Sequence, residues 1–322
     1  MARFRRACTR AVIAVAAAAA TILAVPATSA RADVVSVQEV SPTETVVLVH
    51  SPSMNRVIRN QVLHLPGKPV APVFYMLPGA GGAEDGVSWY HHGGVRPFFA
   101  GKRVNVVLPI GGRFSMFTDW QHDDPVLGRN KWQTYINHEL PAAIAKVFRT
   151  TGANAISGVS MSAGPAVDLA TRAPQRYRAV AAYSGCPTTG FPLGVLTNTM
   201  VVARGGGNVL NMWGPPGAPA WAAHDPIVNA NRLRGKAIYL GSATGVPGPV
   251  DRLGPLELPG ALIGGLPVES VASGCNAALS ARLASLGIAH HLDIRPLGSH
   301  SWGLFAAELR ASWPMIARAI GA

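Results

Sequence analysis

Two early stretches alternate apolar and polar residues, "ETVVLVH" at 44–50 and "RVIRNQVLH" at 56–64. That period of two predicts a pair of antiparallel strands with one face buried. Further along, the alternation gives way to short, solidly apolar runs. These are "PVFYMLPGAGG" (72–82), "VNVVLPIGG" (104–112), "NAISGVS" (154–160), "YRAVAAYSG" (177–185), "KAIYLGS" (236–242) and "HHLDIRPLG" (290–298). Each reads as a strand covered on both faces, and the first two run on into glycine-rich loops. Between them lie stretches with helical spacing, at 131–148, 161–174, 267–287 and 302–320, the second stopped by Pro174. Strands alternating with helices imply an α/β architecture: a mostly parallel central sheet with helices on both faces and the first pair as an antiparallel edge. Residues 187–235 break the rhythm. They are rich in Gly, Pro, Asn and Trp and read as an insertion over the sheet. Trp213 and Trp221 there either roof an apolar channel or belong to the core.

The first thirty residues form a separate object. "MARFRRACTR" carries four arginines and no acid, an apolar run of fifteen follows, and small residues lead up to Ala30. This is the pattern of a secretory signal peptide with cleavage near Ala30. The apolar run is shorter than the ~20 residues of a spanning helix. The mature chain, 31–322, carries no transmembrane helix and has the size of a single catalytic domain with a large core.

Composition refines this picture. At 48% hydrophobic and 14% charged, the chain has the apolar content to fold. Its formal net charge of +12 becomes +8 when the four leader arginines are removed, which suits an anionic cell-envelope surface. No basic run with interleaved aromatics marks a nucleic-acid partner. Of three cysteines, Cys8 leaves with the leader. Cys186 and Cys275 remain in a compartment that permits disulfides, and the expectation is that they pair. Neither has close-spaced companions for a metal.

Candidate chemistry centres on "NAISGVSMSAGPAVDLA" (154–170), with serines at 157, 160 and 162. A nucleophilic serine needs a tight strand-to-helix turn, with small residues two before and two after it. Ser157 is followed two residues later by the β-branched Val159. Ser162 lies one turn into the helix. Ser160 has Gly158 and Ser162 at those places and sits at the junction, so it is the candidate. A base must follow it along the chain, and His300, after the last strand in "IRPLGSHSW", fits best. Asp168, Asp225 and Asp293 lie on the serine's own helix, in the insertion and in a strand; Asp251, Glu257 and Glu269 remain open as the orienting acid. Backbone N–H groups of Met161 and Ala80, the latter in the loop "LPGAGGAED", are placed to hold an oxyanion. No G-K-[ST] follows that loop, so it is not a nucleotide loop.

The blocks "YMLPGAGG", "NVVLPIGGRFSMFTDW", "KWQTYINHELP", "ISGVSMSAGPAVDLATRAPQRYRAVAAYSG", "NMWGPPGAPAWAAHDPIVNANRLRG" and "GSHSW" resemble the antigen 85 mycolyltransferases in the same order, over about residues 70 to 310. They resemble the corynebacterial and nocardial branch more closely. The resemblance implies an exported serine acyltransferase of the α/β-hydrolase fold, which takes a mycolyl group from trehalose mycolates or other glycolipid donors to a sugar acceptor or to cell-wall arabinogalactan. It implies Ser160 as nucleophile, His300 as base, Glu269 in "LPVESV" as acid, Ala80 and Met161 at the oxyanion, and no metal or organic cofactor. Gly79, Gly81 and Trp302 fall on the substrate side, Trp302 at a sugar-lining tryptophan. An Asp and an Arg that grip the sugar in mycobacterial members are replaced by Pro78 and Gly81. The mycobacterial disulfide is absent, and a Cys186–Cys275 bond would instead hold the Glu269 helix to the sheet. A secreted carboxylesterase is the alternative within enzymes, and a non-catalytic binding protein the alternative outside them.

Overall fold

The computed structural model describes residues 32–190, 192–254, 256 and 258–322. The leader (1–30) and Glu257 lie outside the described residues. A nine-stranded sheet runs in the order β1-β2-β3-β5-β4-β6-β7-β8-β9. The first three strands, β1 (Asp33–Ser41), β2 (Glu44–Ser51) and β3 (Arg56–Leu63), are antiparallel, and β3 also pairs antiparallel with β5 (Asn105–Ile110). From β5 the sheet is parallel through β4 (Ala71–Leu77), β6 (Thr150–Val159), β7 (Tyr177–Tyr183), β8 (Ala237–Ala243) and β9 (His291–Arg295).

The solidly apolar runs are the strands with two covered faces. In β4, Val73, Tyr75 and Leu77 point into one core, while Phe74 and Met76 point into the other. The first core receives the helices Leu140–Val147, Ala163–Arg172 and Leu266–Ser285. The second receives the helix Trp302–Ile320 through Leu304, Leu309 and Ile316.

Three expectations change in detail. β1 is an additional edge strand; it has one neighbour, shows most of its side chains to water and bulges twice, so no clean alternation marks it. The helix expected at 131–148 widens into a π-helical turn over Tyr135–Glu139, just before Pro141, which has no N–H to donate back along the helix. The insertion holds real helices, Pro192–Arg204, Leu210–Trp213 and Pro219–Ala223, and both Trp213 and Trp221 are buried in the core.

Candidate active site

The carboxyl end of β6 turns directly into the helix Ala163–Arg172, and Ser160 sits in that turn with φ +56°. A left-handed serine is strained, and the turn around it leaves no space to relax. A Cβ on Gly158 would lie 1.9 Å from the Ser162 carbonyl oxygen, so only glycine fits two residues before the bend. Ser162, where a second small residue was expected, ties the turn together. Its Oγ accepts the Val159 N–H at 2.9 Å and shares its hydrogen between the carbonyls of Val159 (3.1 Å) and Leu77 (3.3 Å). Ser162 and Ser157 are buried, whereas Ser160 is partly open to solvent.

Ser160 Oγ lies 2.8 Å from His300 Nε2, and His300 Nδ1 lies 2.6 Å from Glu269 Oε1. Glu269 comes from the first turn of the helix Leu266–Ser285 and is fully buried. Its other oxygen accepts the Ala243 N–H (2.9 Å) and faces Ser184 Oγ (3.1 Å). The Ala243 N–H is a fixed donor to one Glu269 oxygen; the tautomer of His300 that donates from Nδ1 to the other oxygen leaves Nε2 to accept from Ser160.

The other carboxylates are engaged elsewhere. Asp168 binds His224 and Arg172, Asp225 binds Thr188 and the Gly190 N–H, and Asp293 binds Tyr239 and Arg295. Asp251 accepts the N–H groups of Gly248 (2.7 Å) and Ser299 and the hydroxyl of Ser301. It fastens the loop that carries His300 and does not contact the imidazole.

The loop after β4 runs alongside the serine. A Cβ on Gly79 would stand 3.9 Å from Ser160 Cβ, so Gly79 borders the serine turn; Ala80 follows Gly79 in that loop and Met161 follows Ser160 in the turn. At Gly81 the Asp85 carboxylate occupies the space a side chain would need. Trp302 opens the last helix and is half-buried. It stacks on His92 (5.9 Å between centroids) and meets Trp89 and Phe305 edge-on, while Phe305 meets the His300 ring at 4.9 Å. An aromatic wall thus leads from Trp302 to the imidazole.

Sequence reasoning missed His92, Phe305, Ser184 and Glu308. The last two lie behind Glu269, where Ser184 Oγ stands 3.2 Å from Glu308 Oε2. Glu308 had a signal, because it falls on the buried stripe formed by Leu304, Phe305, Leu309 and Ser312 of its helix. Burial and the neighbouring Glu269 charge push its carboxyl well above the usual range.

Cys186 and Cys275 are bonded, with Cα atoms 5.0 Å apart and a sequence separation of 89. The bond joins the segment just after Ser184 to the helix of Glu269, as the sequence led us to expect. Among the described residues no helix is long and apolar enough to cross a membrane, and no three His, Cys, Asp or Glu side chains are grouped to hold a metal ion.

The chain matches the family model Esterase over residues 51–316. It is 30% identical over 282 residues to the diacylglycerol acyltransferase/mycolyltransferase Ag85A of Mycobacterium tuberculosis, covering 85% of this chain and 80% of that one. It is 31% identical over 273 residues to the MPT51/MPB51 antigen of the same species, covering 82% and 84%. The crystal structure of M. tuberculosis MPT51 superposes with a TM-score of 0.66 at 28% identity, over 84% of this chain and 96% of that one. An S-formylglutathione hydrolase from Agrobacterium tumefaciens shares the fold, with a TM-score of 0.67 at 15% identity, over 90% of this chain and all of that one.

Proposed function

Since the chain belongs to the antigen 85 family within the esterases, we propose that it is an exported serine acyltransferase working through Ser160, His300 and Glu269. The observation that carries this reading is the unbroken hydrogen-bonded series from Ser160 Oγ through His300 to Glu269. In the first half-reaction His300 Nε2 takes the Ser160 proton as Oγ attacks the acyl carbonyl of a glycolipid such as a trehalose mycolate. The N–H groups of Ala80 and Met161 hold the oxyanion. The carbonyl re-forms, and the departing sugar oxygen takes the proton from His300, leaving an acyl-serine. In the second half an acceptor sugar hydroxyl gives its proton to His300 and attacks the acyl carbon. Ser160 leaves and recovers the proton. Glu269 fixes the tautomer throughout and stabilises the imidazolium. Trp302 and the neighbouring aromatic wall offer stacking faces for a sugar, and Gly79 borders the acyl carbon.

Export through the leader, and work at the cell-envelope surface, follow from the same reading. The basic mature chain and the disulfide support it.

Hydrolysis is the second reading, favoured by the partial exposure of the His300 side chain (19%), which leaves room for water. A chromogenic short-chain ester, offered with and without trehalose, separates the two. Transfer yields acyl-trehalose, and hydrolysis yields free acid at an unchanged rate. Ser160→Ala should lower turnover by at least about a thousandfold. Retention of activity within tenfold would reject the assignment.

A further inference from the structure

Behind the acid of the triad lies a second carboxyl that the mechanism does not use. Glu308, on the last helix, is fully buried. The sheet makes room for it: a Cβ on Gly241 of β8 would come within 2.7 Å of Glu308 Oε1. Its Oε2 and the Oε2 of Glu269 stand on either side of one hydroxyl, that of Ser184, at 3.2 and 3.1 Å. Ser184 itself is held in the left-handed region (φ +48°), with its N–H on the Gly241 carbonyl.

Counting hydrogens decides the arrangement. Ser184 has one hydrogen to give and two carboxyls to face. Glu269 already accepts from the Ala243 N–H and from His300, so it is the ionised member. Among the described residues Glu308 has no ion-pair partner. Arg295, the cation on the adjacent strand, is paired with Asp293 and acts on Glu308 through its charge alone, a pull toward the anion that is weaker than the opposing push from burial and from Glu269. The remaining titratable groups facing Glu308 are Glu269, Asp293 and the phenols of Tyr183 and Tyr239, and none supplies a positive charge.

We propose that Glu308 is held as the neutral acid and acts as a positioning residue, donating its O–H to Ser184 Oγ, which in turn donates to Glu269 Oε2. The inference rests on the triad reading above and extends it. Five side chains then lie in one hydrogen-bonded series, and the inner end of that series keeps the Glu269 carboxylate aimed at His300. Burial and the Glu269 charge, which both disfavour a second anion, agree with the neutral form.

The test uses the full chain and a chromogenic short-chain ester. Glu308→Leu removes the donor and should lower kcat about tenfold with KM unchanged, the effect of one network hydrogen bond. Glu308→Gln keeps a neutral donor. It should recover most of that loss and leave the acid limb of the kcat/KM–pH profile where it is. An acid limb lowered by about one unit in E308Q would mean that a negative charge had been removed, and would overturn the proposal. So would full activity in E308L.

Should E308L fail to fold, Ser184→Ala takes its place with the same expectation for kcat, and an S184A enzyme as active as wild type overturns the link. Infrared spectroscopy gives a readout independent of turnover. Wild type at neutral pH should show a protonated-carboxyl stretch that E308Q lacks, and its absence from wild type refutes the neutral acid. Covalent labelling of Ser160 by a fluorophosphonate tests the triad separately. An unlabelled, inactive wild type would sink the triad reading, whereas a labelled Ser160 with a wild-type-like E308L sinks only this inference.

Discussion

Asp251 holds the Ser301 hydroxyl at 2.6 Å, one residue beyond His300, and the same carboxylate holds the Ser299 N–H one residue before it. The imidazole is thus placed by a side chain that does not contact it. Asp251→Ala should cost about 10- to 100-fold in kcat, since two charge-assisted hydrogen bonds fix the loop. Kinetics on the variant, alongside its melting curve, check this. A kcat equal to wild type would show that the loop holds itself.

Ser162 and Ser160 should separate cleanly by mutation. Ser162→Ala leaves the buried Val159 N–H without its partner and should destabilise the fold by about 1–3 kcal/mol. Fluorophosphonate labelling should survive in S162A and vanish in Ser160→Ala. Mass spectrometry of the labelled peptide reads the difference, and loss of label in S162A with the fold intact would contradict the division of roles.

The Cys186–Cys275 bond closes 89 residues of chain. Replacing both cysteines by alanine should destabilise by about 2–5 kcal/mol. Chemical denaturation of the variant measures it. Because the bond reaches the helix of Glu269, activity in C186A/C275A should fall before global unfolding as temperature rises.

Glu308 makes a prediction about pH and stability. Its folded carboxyl is raised above the ordinary 4.5, so in the unfolded chain it ionises first. Stability attributable to the neutral form is complete below 4.5 and is lost as pH rises toward the folded value, by about 1.4 kcal/mol per unit. Gln does not ionise. The melting temperature of E308Q relative to wild type should therefore climb between pH 4 and pH 8. A constant difference would show that Glu308 ionises in the folded protein as it does in the unfolded one.

Much of this architecture was legible in the residue pattern. The solid apolar runs of β4 to β8 have two cores to fill, and their period could hardly mean anything else. β1 was not legible, because an edge strand wet on both faces has no burial to write into its sequence. The serine turn was legible because steric demand at Gly158 leaves a local mark. The acid was harder. Asp251, Glu257 and Glu269 have the same chemistry and a similar place in chain order, and only the resemblance to a family chose among them. Ser184 left no mark, and Glu308 showed only as a polar residue on the apolar stripe of its helix; their pairing could not be read for another reason. Their importance lies in meeting across the sheet, 124 residues apart, and no short stretch records that.

The distance along the chain between Ser160 and His300 has a consequence for biosynthesis. Polypeptides are made from the amino end, and 140 residues must follow the serine before its base exists. In any shorter nascent chain Ser160 lacks the imidazole that stands beside it in the fold. The pair can meet only once synthesis has passed residue 300, just before the last helix begins.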